Sequence, residues 1–218
     1  MAPDFDALEA ELARAREAQQ ALRGFSGTRE ELRAVFARTL RAERALAAAR
    51  GEEHAIPCEG FPPWEAAEPA PCVLYGPMGV ALVYLHRPTE EQGEDDAPVL
   101  QPVVVVRFDG VIRVQAGTPN SEVAHGHRLH GKGLDEGGAN LVIHSAWAEE
   151  ARRINSVHPM YDATRWQTLK HYFVIIRDDT IECLARGFTA RVERTRYDDV
   201  VTRVVREVNG LDPVRVPV

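Results

Sequence analysis

No run of this chain is apolar for the roughly 20 residues that a membrane-crossing helix needs. The longest apolar stretch, 102–106 with its neighbours, has the length of a strand. The N-terminus, Met-Ala-Pro-Asp-Phe-Asp, lacks a basic segment followed by an apolar one, so it does not read as a secretory signal. Cysteine is scarce. Cys58, Cys72 and Cys183 make an odd count with no Cys-x-x-Cys pair, which fits a reduced, cytoplasmic setting. A Cys58–Cys72 bridge is allowed by the spacing but not demanded. Positive charge is short as well: 26 Lys and Arg stand against 33 Asp and Glu, for a net charge of −7. That balance argues against nonspecific binding to nucleic acid or an anionic membrane, because neutralising phosphates takes a basic surplus, though it leaves room for a local basic patch. No internal repeat is present. What is there is ordinary for a globular protein: 44% hydrophobic and 27% charged residues in a chain of 218. This length supports one large domain, or one domain with a helical appendage.

Three regions differ in composition. Residues 1–50 are rich in Ala, Arg, Glu and Leu, all strong helix formers. Phe5, Leu8 and Leu12 recur at helical spacing. Gly24-Phe-Ser-Gly27 breaks the pattern. Thr28-Arg-Glu-Glu31 then reads as a capping box, and Leu32, Val35, Phe36 and Leu40 make a second apolar stripe. This predicts a helical hairpin whose narrow apolar faces must close on the rest of the chain or on a second copy. Residues 51–72 are a connector in which Pro57, Pro62, Pro63, Pro69 and Pro71 interrupt helix and sheet. Trp64 within it is expected to insert into the domain that follows.

Residues 73–218 read as an α+β domain with a mostly antiparallel sheet and packed helices. Strands are expected at 73–75 and 80–86, split by Gly76-Pro-Met-Gly79, with an acidic solvated loop over 88–98. Val99–Phe108 and Val111–Gln115 are predicted to pair as a hairpin through Asp109-Gly110, since Asp-Gly suits a type I′ turn. Residues 139–144 are strand-like. Ser145 should cap a helix ending before His158-Pro159. Lys170–Arg177 and Thr180–Arg194 form a second hairpin around Asp178-Asp179. Its two faces are both apolar, so it should lie centrally, covered on both sides. Tyr197, Val200, Val201, Val204, Val205 and Val208 form the stripe of an amphipathic helix. Strands joined by hairpins rather than by alternating helices give the α+β class.

Chemistry concentrates between His125 and Cys183, which hold six of the eight histidines and two of the three tryptophans. The glycine-rich segment 118–138 shows no periodicity, and a loop that long in a folded domain tends to be functional or disordered. His125, His127 and His130 have a spacing that can converge on a divalent metal such as zinc. Gly126 to Gly133, with Arg128 and Lys132, has the makings of an anion cradle. His171 and Glu182 share one face of the second hairpin and can act as an acid/base pair. Cys183 falls on the other face among Tyr172, Val174 and Ile176, which reads as a buried, inert thiol. Trp147, Trp166 and Tyr172, with His144 and His158, can line a pocket. Asp178-Asp179 reads as a turn rather than as a metal carboxylate pair.

His125-x-His127-x-Leu129-His130 resembles the His-x-His-x-Asp-His pattern of the metallo-β-lactamases over six residues, with Leu129 where that family has a metal-binding aspartate. The resemblance implies a metal-dependent hydrolase. The segment from Gly126-His127 through Ser145-x-Trp147 and His158-Pro159 to His171-Tyr172 and Asp179-Thr-Ile-Glu-Cys183 is similar to a group of bacterial proteins of unknown function. That similarity implies no activity and assigns no residue a role.

The expected function is binding of a small molecule or protein partner, with Arg128, Lys132, Trp147, Trp166 and Tyr172 as contacts. Residues 4–50 would serve docking or homodimerisation. The alternative is a metal-dependent hydrolase in which His125, His127 and His130 hold the ion and Glu182 or His171 acts as base.

Overall fold

Alternation along the valine-rich strands decides the layers. In a computed structural model that describes residues 3–22, 28–65, 71–87, 101–176 and 178–211, nine strands form two antiparallel sheets. The expected break at Gly24–Gly27, the acidic loop at 88–98 and the start of the strand at Val99 lie outside the described residues. One sheet orders its strands β1 (His54–Pro57), β6 (Asn140–Ile143), β7 (Lys170–Ile176), β8 (Asp179–Ala185) and β5 (Arg113–Gly117). The other orders β2 (Cys72–Gly76), β3 (Gly79–Leu85), β4 (Val103–Asp109) and β9 (Gly187–Glu193). Between them lies the main core. Leu82, Tyr84, Val104 and Val106 from the four-stranded sheet meet Tyr172, Val174, Ile181 and Cys183 from the five-stranded one. Trp64 inserts into this core, as expected. The intervening residues face outward from each sheet and need covers of their own.

The four-stranded sheet is covered by α5 (Tyr197–Val208), whose Val200, Val204 and Val208 pack on Ala81, Val83, Val103 and Val105. The five-stranded sheet is covered differently. Ala124, Leu129 and Leu134 from the loop at 118–138 pack on Ala55, Val142, Phe173 and Ile175. This segment is expected to lack structure. Instead it forms a 3₁₀ helix at Ser121–Gly126 followed by turns, and its three apolar side chains anchor it over the sheet. The central hairpin β7–β8 is therefore buried on both faces, as its composition requires.

The helical hairpin is present as α1 (Phe5–Ala21) and α2 (Arg29–Ala49), and Thr28 and Glu31 form the expected capping box. Leu12, Ala15, Ala42 and Leu46 make its internal core. It docks on its own chain. Arg44 donates from Nε to the Ala55 carbonyl at 2.9 Å and from Nη2 to the Gly133 carbonyl at 2.9 Å, while Glu43 accepts from the Gly133 N–H. Only glycine fits at 133: its φ is +82°, and a Cβ there would lie 2.2 Å from Arg44 Cγ. At this end of the expected anion cradle the close backbone approach is thus made by an arginine of the hairpin.

Several local expectations give way to tertiary pairing. Asp109-Gly110 does not close a hairpin. Both edges of β4 are occupied, by β3 and β9, so β5 pairs with β8 in the other sheet. Gly110 keeps its positive φ of +59°, but it serves a crossing between sheets, where a Cβ would stand 3.0 Å from Arg186 Cδ. The segment 180–194 is not one strand. It breaks at Arg186, whose N–H bonds the Asp109 carbonyl at 2.8 Å, and β9 continues into the second sheet. In β7–β8, Tyr172 faces Cys183 and Val174 faces Ile181. A two-residue turn at Asp178-Asp179 would instead set Val174 against Cys183 and Ile176 against Ile181. Ile176 pairs with Asp179, and the resulting slip of two leaves every side chain on its expected face. The proline connector contributes an edge strand, β1, whose last residue is Pro57, a position where the missing N–H is tolerated. A short helix, α4 (Ala163–Gln167), was not expected.

Candidate functional site

Strand β6 ends at Ile143, and α3 (Ala146–Asn155) begins three residues later. His144 makes the bend with φ +53°, the one described non-glycine residue at positive φ. A non-glycine residue held there is strained, and such strain gathers at functional positions. Ser145 follows as the N-cap, its Oγ accepting from the Ala148 N–H at 3.0 Å.

Around this helix start a closed circuit of polar contacts runs across the outer face of β7–β8. Ser145 Oγ lies 2.8 Å from His171 Nδ1. His171 Nε2 lies 2.9 Å from Glu182 Oε2. The ring N–H is not aligned on that oxygen, so Nε2 makes no well-formed hydrogen bond and Glu182 acts on the imidazole as a nearby charge. Arg128 donates to Glu182 Oε2 at 2.8 Å and to Glu53 Oε2 at 3.1 Å. Glu53 Oε1 accepts from the Ala146 N–H at 2.9 Å, where a carboxylate also complements the helix dipole. The circuit returns to the residue beside Ser145. Gln115 donates to the remaining oxygen of Glu182.

The side chains of His171 and Glu182 are 1% and 3% exposed. Burial pushes the Glu182 carboxyl up, but the His171 and Arg128 contacts more than offset it and hold it at about 2. The carboxylate is therefore ionised and acceptor-only. That favours the His171 tautomer with hydrogen on Nε2 and leaves Nδ1 to accept from Ser145. His127 packs against Phe173 with ring centroids 4.8 Å apart and the rings tilted by 39°. Burial, and then the Arg128 charge, lower its pKa, so it is neutral and Nε2 accepts from Arg128 at 2.9 Å. Trp147 covers His171 at a centroid distance of 5.1 Å, with Arg113 stacked above the indole.

Beside this circuit a cleft of about 380 Å³ opens, lined by His144, Ser145, Ala148, Glu149, Arg152, Trp166 and Leu169. Ala148, Trp166 and Leu169 form an apolar wall. Glu149 and Arg152 form an ion pair at the rim. A larger groove of about 1030 Å³ lies between the helical hairpin and His130–Lys132. Its charges pair with one another, as Arg16–Glu43 and Lys132–Glu52, and no strained residue or buried acid/base pair faces it. We place the site at the smaller cleft.

The residues expected from sequence divide accordingly. His171 and Glu182 meet, as their shared face requires. Arg128 joins them, as the counter-charge of two carboxylates rather than as an open anion contact. Trp166 lines the cleft, and Trp147 roofs the histidine. Lys132 faces the other groove, paired with Glu52. Tyr172 does not join the cleft: it points into the core between the sheets. His158 is exposed at the end of α3, with Nδ1 accepting from the Met160 N–H. His125, His127 and His130 do not converge. The 3₁₀ turn replaces the extended segment that their spacing needs, and His125 turns to the Glu122 carbonyl, His127 packs on Phe173, and His130 faces solvent. Among the described residues no three His, Cys, Asp or Glu side chains group as metal ligands. The three cysteines are unbridged, and burial pushes the Cys183 thiol up to about 12, the inert state expected of it. No helix among the described residues is long and apolar enough to cross a membrane.

Sequence reasoning missed Glu53, Gln115 and the second role of Ser145. Ser145 carries the signal of a helix cap, and a cap is complete with local partners. Its contact with His171 depends on the pairing of Val142 with His171, which no local pattern encodes. Comparison of the chain with protein-family models, with curated proteins and with solved structures finds no match.

Proposed function

We propose that this chain binds a small, partly apolar molecule bearing a hydrogen-bonding head in the cleft at the start of α3. The observation that carries this reading is the convergence at one concave site of an apolar wall, a strained His144 and the buried His171–Glu182 pair behind Ser145. The wall of Trp166, Leu169 and Ala148 suits an aromatic or short aliphatic body. Ser145, His144 and Arg152 offer the polar contacts. The loop at 118–138 supports the site from behind through Arg128 and His127. The acidic composition and unpaired cysteines favour a cytoplasmic protein. Phe5 and Phe36, 41% and 49% exposed on the helical hairpin, are the residues that a second copy would cover.

The test is ligand-detected NMR with a panel of aromatic carboxylates and their methyl esters. Saturation transfer to panel members that is lost in Trp166→Ala supports the reading. Absence of transfer across the panel, or transfer unchanged in Trp166→Ala, overturns it. Sedimentation of the wild type beside Phe36→Glu checks the homodimer: a dimer that dissociates on substitution is the expected result.

A further inference from the structure

We infer that Ser145 is a nucleophile and that the cleft supports acyl transfer from small esters. The inference rests on the binding site proposed above. An alkyl hydroxyl becomes a useful nucleophile when a base accepts its proton and a third group holds that base in the right tautomer. A base in contact with the hydroxyl and a carboxylate charge beside that base are present, although the carboxylate takes no aligned hydrogen bond from the ring. Ser145 Oγ is 2.8 Å from His171 Nδ1, and the other ring nitrogen is 2.9 Å from Glu182 Oε2. Arg128 and Gln115 hold the Glu182 carboxylate from behind. The backbone reinforces the arrangement. The bend at His144 sets Ser145 between a strand and a helix at the cleft wall, while His171 stays sealed beneath Trp147. The Ala148 N–H bonds Oγ at 3.0 Å and fixes the position of the hydroxyl beside His171.

The step balances without a metal or a redox partner. His171 Nδ1 takes the Ser145 proton as Oγ bonds to the ester carbonyl carbon. The tetrahedral adduct collapses, the carbon–alkoxy bond breaks, and the alcohol leaves with the proton from Nδ1. Water then attacks the acyl-serine, passing its proton to His171. The carboxylic acid departs, and Oγ recovers its hydrogen. The sum is ester plus water giving acid plus alcohol. The apolar wall of Ala148, Trp166 and Leu169 would hold a short acyl group.

The competing explanation is that Ser145 is only a cap fastened to a buried histidine. A fluorophosphonate with a short alkyl chain distinguishes the two, because it forms a stable bond to an activated serine with release of fluoride. The full chain is incubated with the probe, weighed intact and mapped by peptide mass spectrometry. The expected result is one adduct on Ser145, absent after heat denaturation. Ser145→Asn should abolish labelling yet leave the melting temperature nearly unchanged, since Asn caps a helix as well as Ser. His171→Gln should slow labelling by about 10²–10⁴-fold, the usual loss on removing a general base. A folded wild type that takes no label at Ser145 overturns the inference. So does equal labelling of folded and denatured protein, a readout that holds even if the His171 variant fails to fold. Carboxylate binding in the NMR panel without labelling removes the nucleophile and leaves the binding site. Failure of both removes both.

Discussion

The two sheets share a core, but their outer faces are covered by different means. On the four-stranded sheet, α5 lays three valines on four strand residues and keeps its polar contacts at the margin, where Glu207 meets Arg107 and Arg191. On the five-stranded sheet an irregular segment supplies three apolar anchors and then delivers Arg128 into the layer beneath, against a buried glutamate. A helix satisfies its own backbone and can afford a purely apolar face. An irregular cover has spare backbone and side-chain polarity to place. Here it places them where the start of α3 comes down on His171. One cover does packing alone, and the other does packing and builds a site.

The sharpest way to break this comparison is to remove one anchor from each cover. Leu129→Ala should cost about 2–5 kcal/mol and Val204→Ala about 1.5–3 kcal/mol, both read from chemical denaturation. A Leu129 variant that loses less than the Val204 variant would mean that the loop is a loose lid and not a second cover. The next effect concerns charge. The Glu182 carboxyl is lowered from 4.5 to about 2 in the folded chain. A depressed acid stabilises the fold above its unfolded pKa and loses that contribution as pH falls through its folded pKa. The shift corresponds to something on the order of 3 kcal/mol, present above about pH 4.5 and lost toward pH 2. In Glu182→Gln the stability–pH curve should flatten in that window. Equal curves for wild type and Glu182→Gln would show that the buried pair is not coupled to folding.

A smaller effect belongs to the docking of the helical hairpin. Arg44→Ala removes its hydrogen bonds to the Ala55 and Gly133 carbonyls and should cost about 1.5–3 kcal/mol. Hydrogen exchange should quicken in α1 and α2 and hardly change in β3 and β4. Uniform quickening would instead make the hairpin part of the same cooperative unit as the sheets. The smallest effect is local: Thr28→Ala opens the capping box of α2 and should cost about 1 kcal/mol, measurable as a small drop in midpoint with an unchanged slope.

The contrast between covers also explains what could be read from the sequence. The valine stripe of α5, the capping box at Thr28 and the two-faced burial of β7–β8 are periodic signals, and periodicity survives without knowledge of neighbours. The face shared by His171 and Glu182 was legible for the same reason, because parity along a strand is unaffected by a slip of two. The pairing of β5 with β8 was not. Asp109-Gly110 carries the local signature of a hairpin, and only the occupancy of both edges of β4 shows that the chain must cross instead. The histidine triplet misled through spacing alone: its metal geometry assumes an extended backbone, and the anchoring of Ala124 and Leu129 winds the segment into a turn. Glu53 and Ser145 looked like a connector residue and a cap. They became site residues only when three distant segments met over one strand pair.

The crossings at Asp109–Ile112 and at Arg186 lie side by side. Arg186 bonds the Asp109 carbonyl, and the Ile112 N–H bonds Leu184. Sequence order and spatial order are interleaved there, so that each half of the chain owns strands in both sheets. Cutting the backbone at Gly110 would leave β1 to β4 on one fragment and β5 to β9 on the other, and neither piece could complete a layer alone. The two fragments mixed together, however, carry every strand that each needs from the other. The corner makes this protein a natural subject for splitting and reassembly, with recovery of the cleft at Ser145 reporting that the halves have found each other.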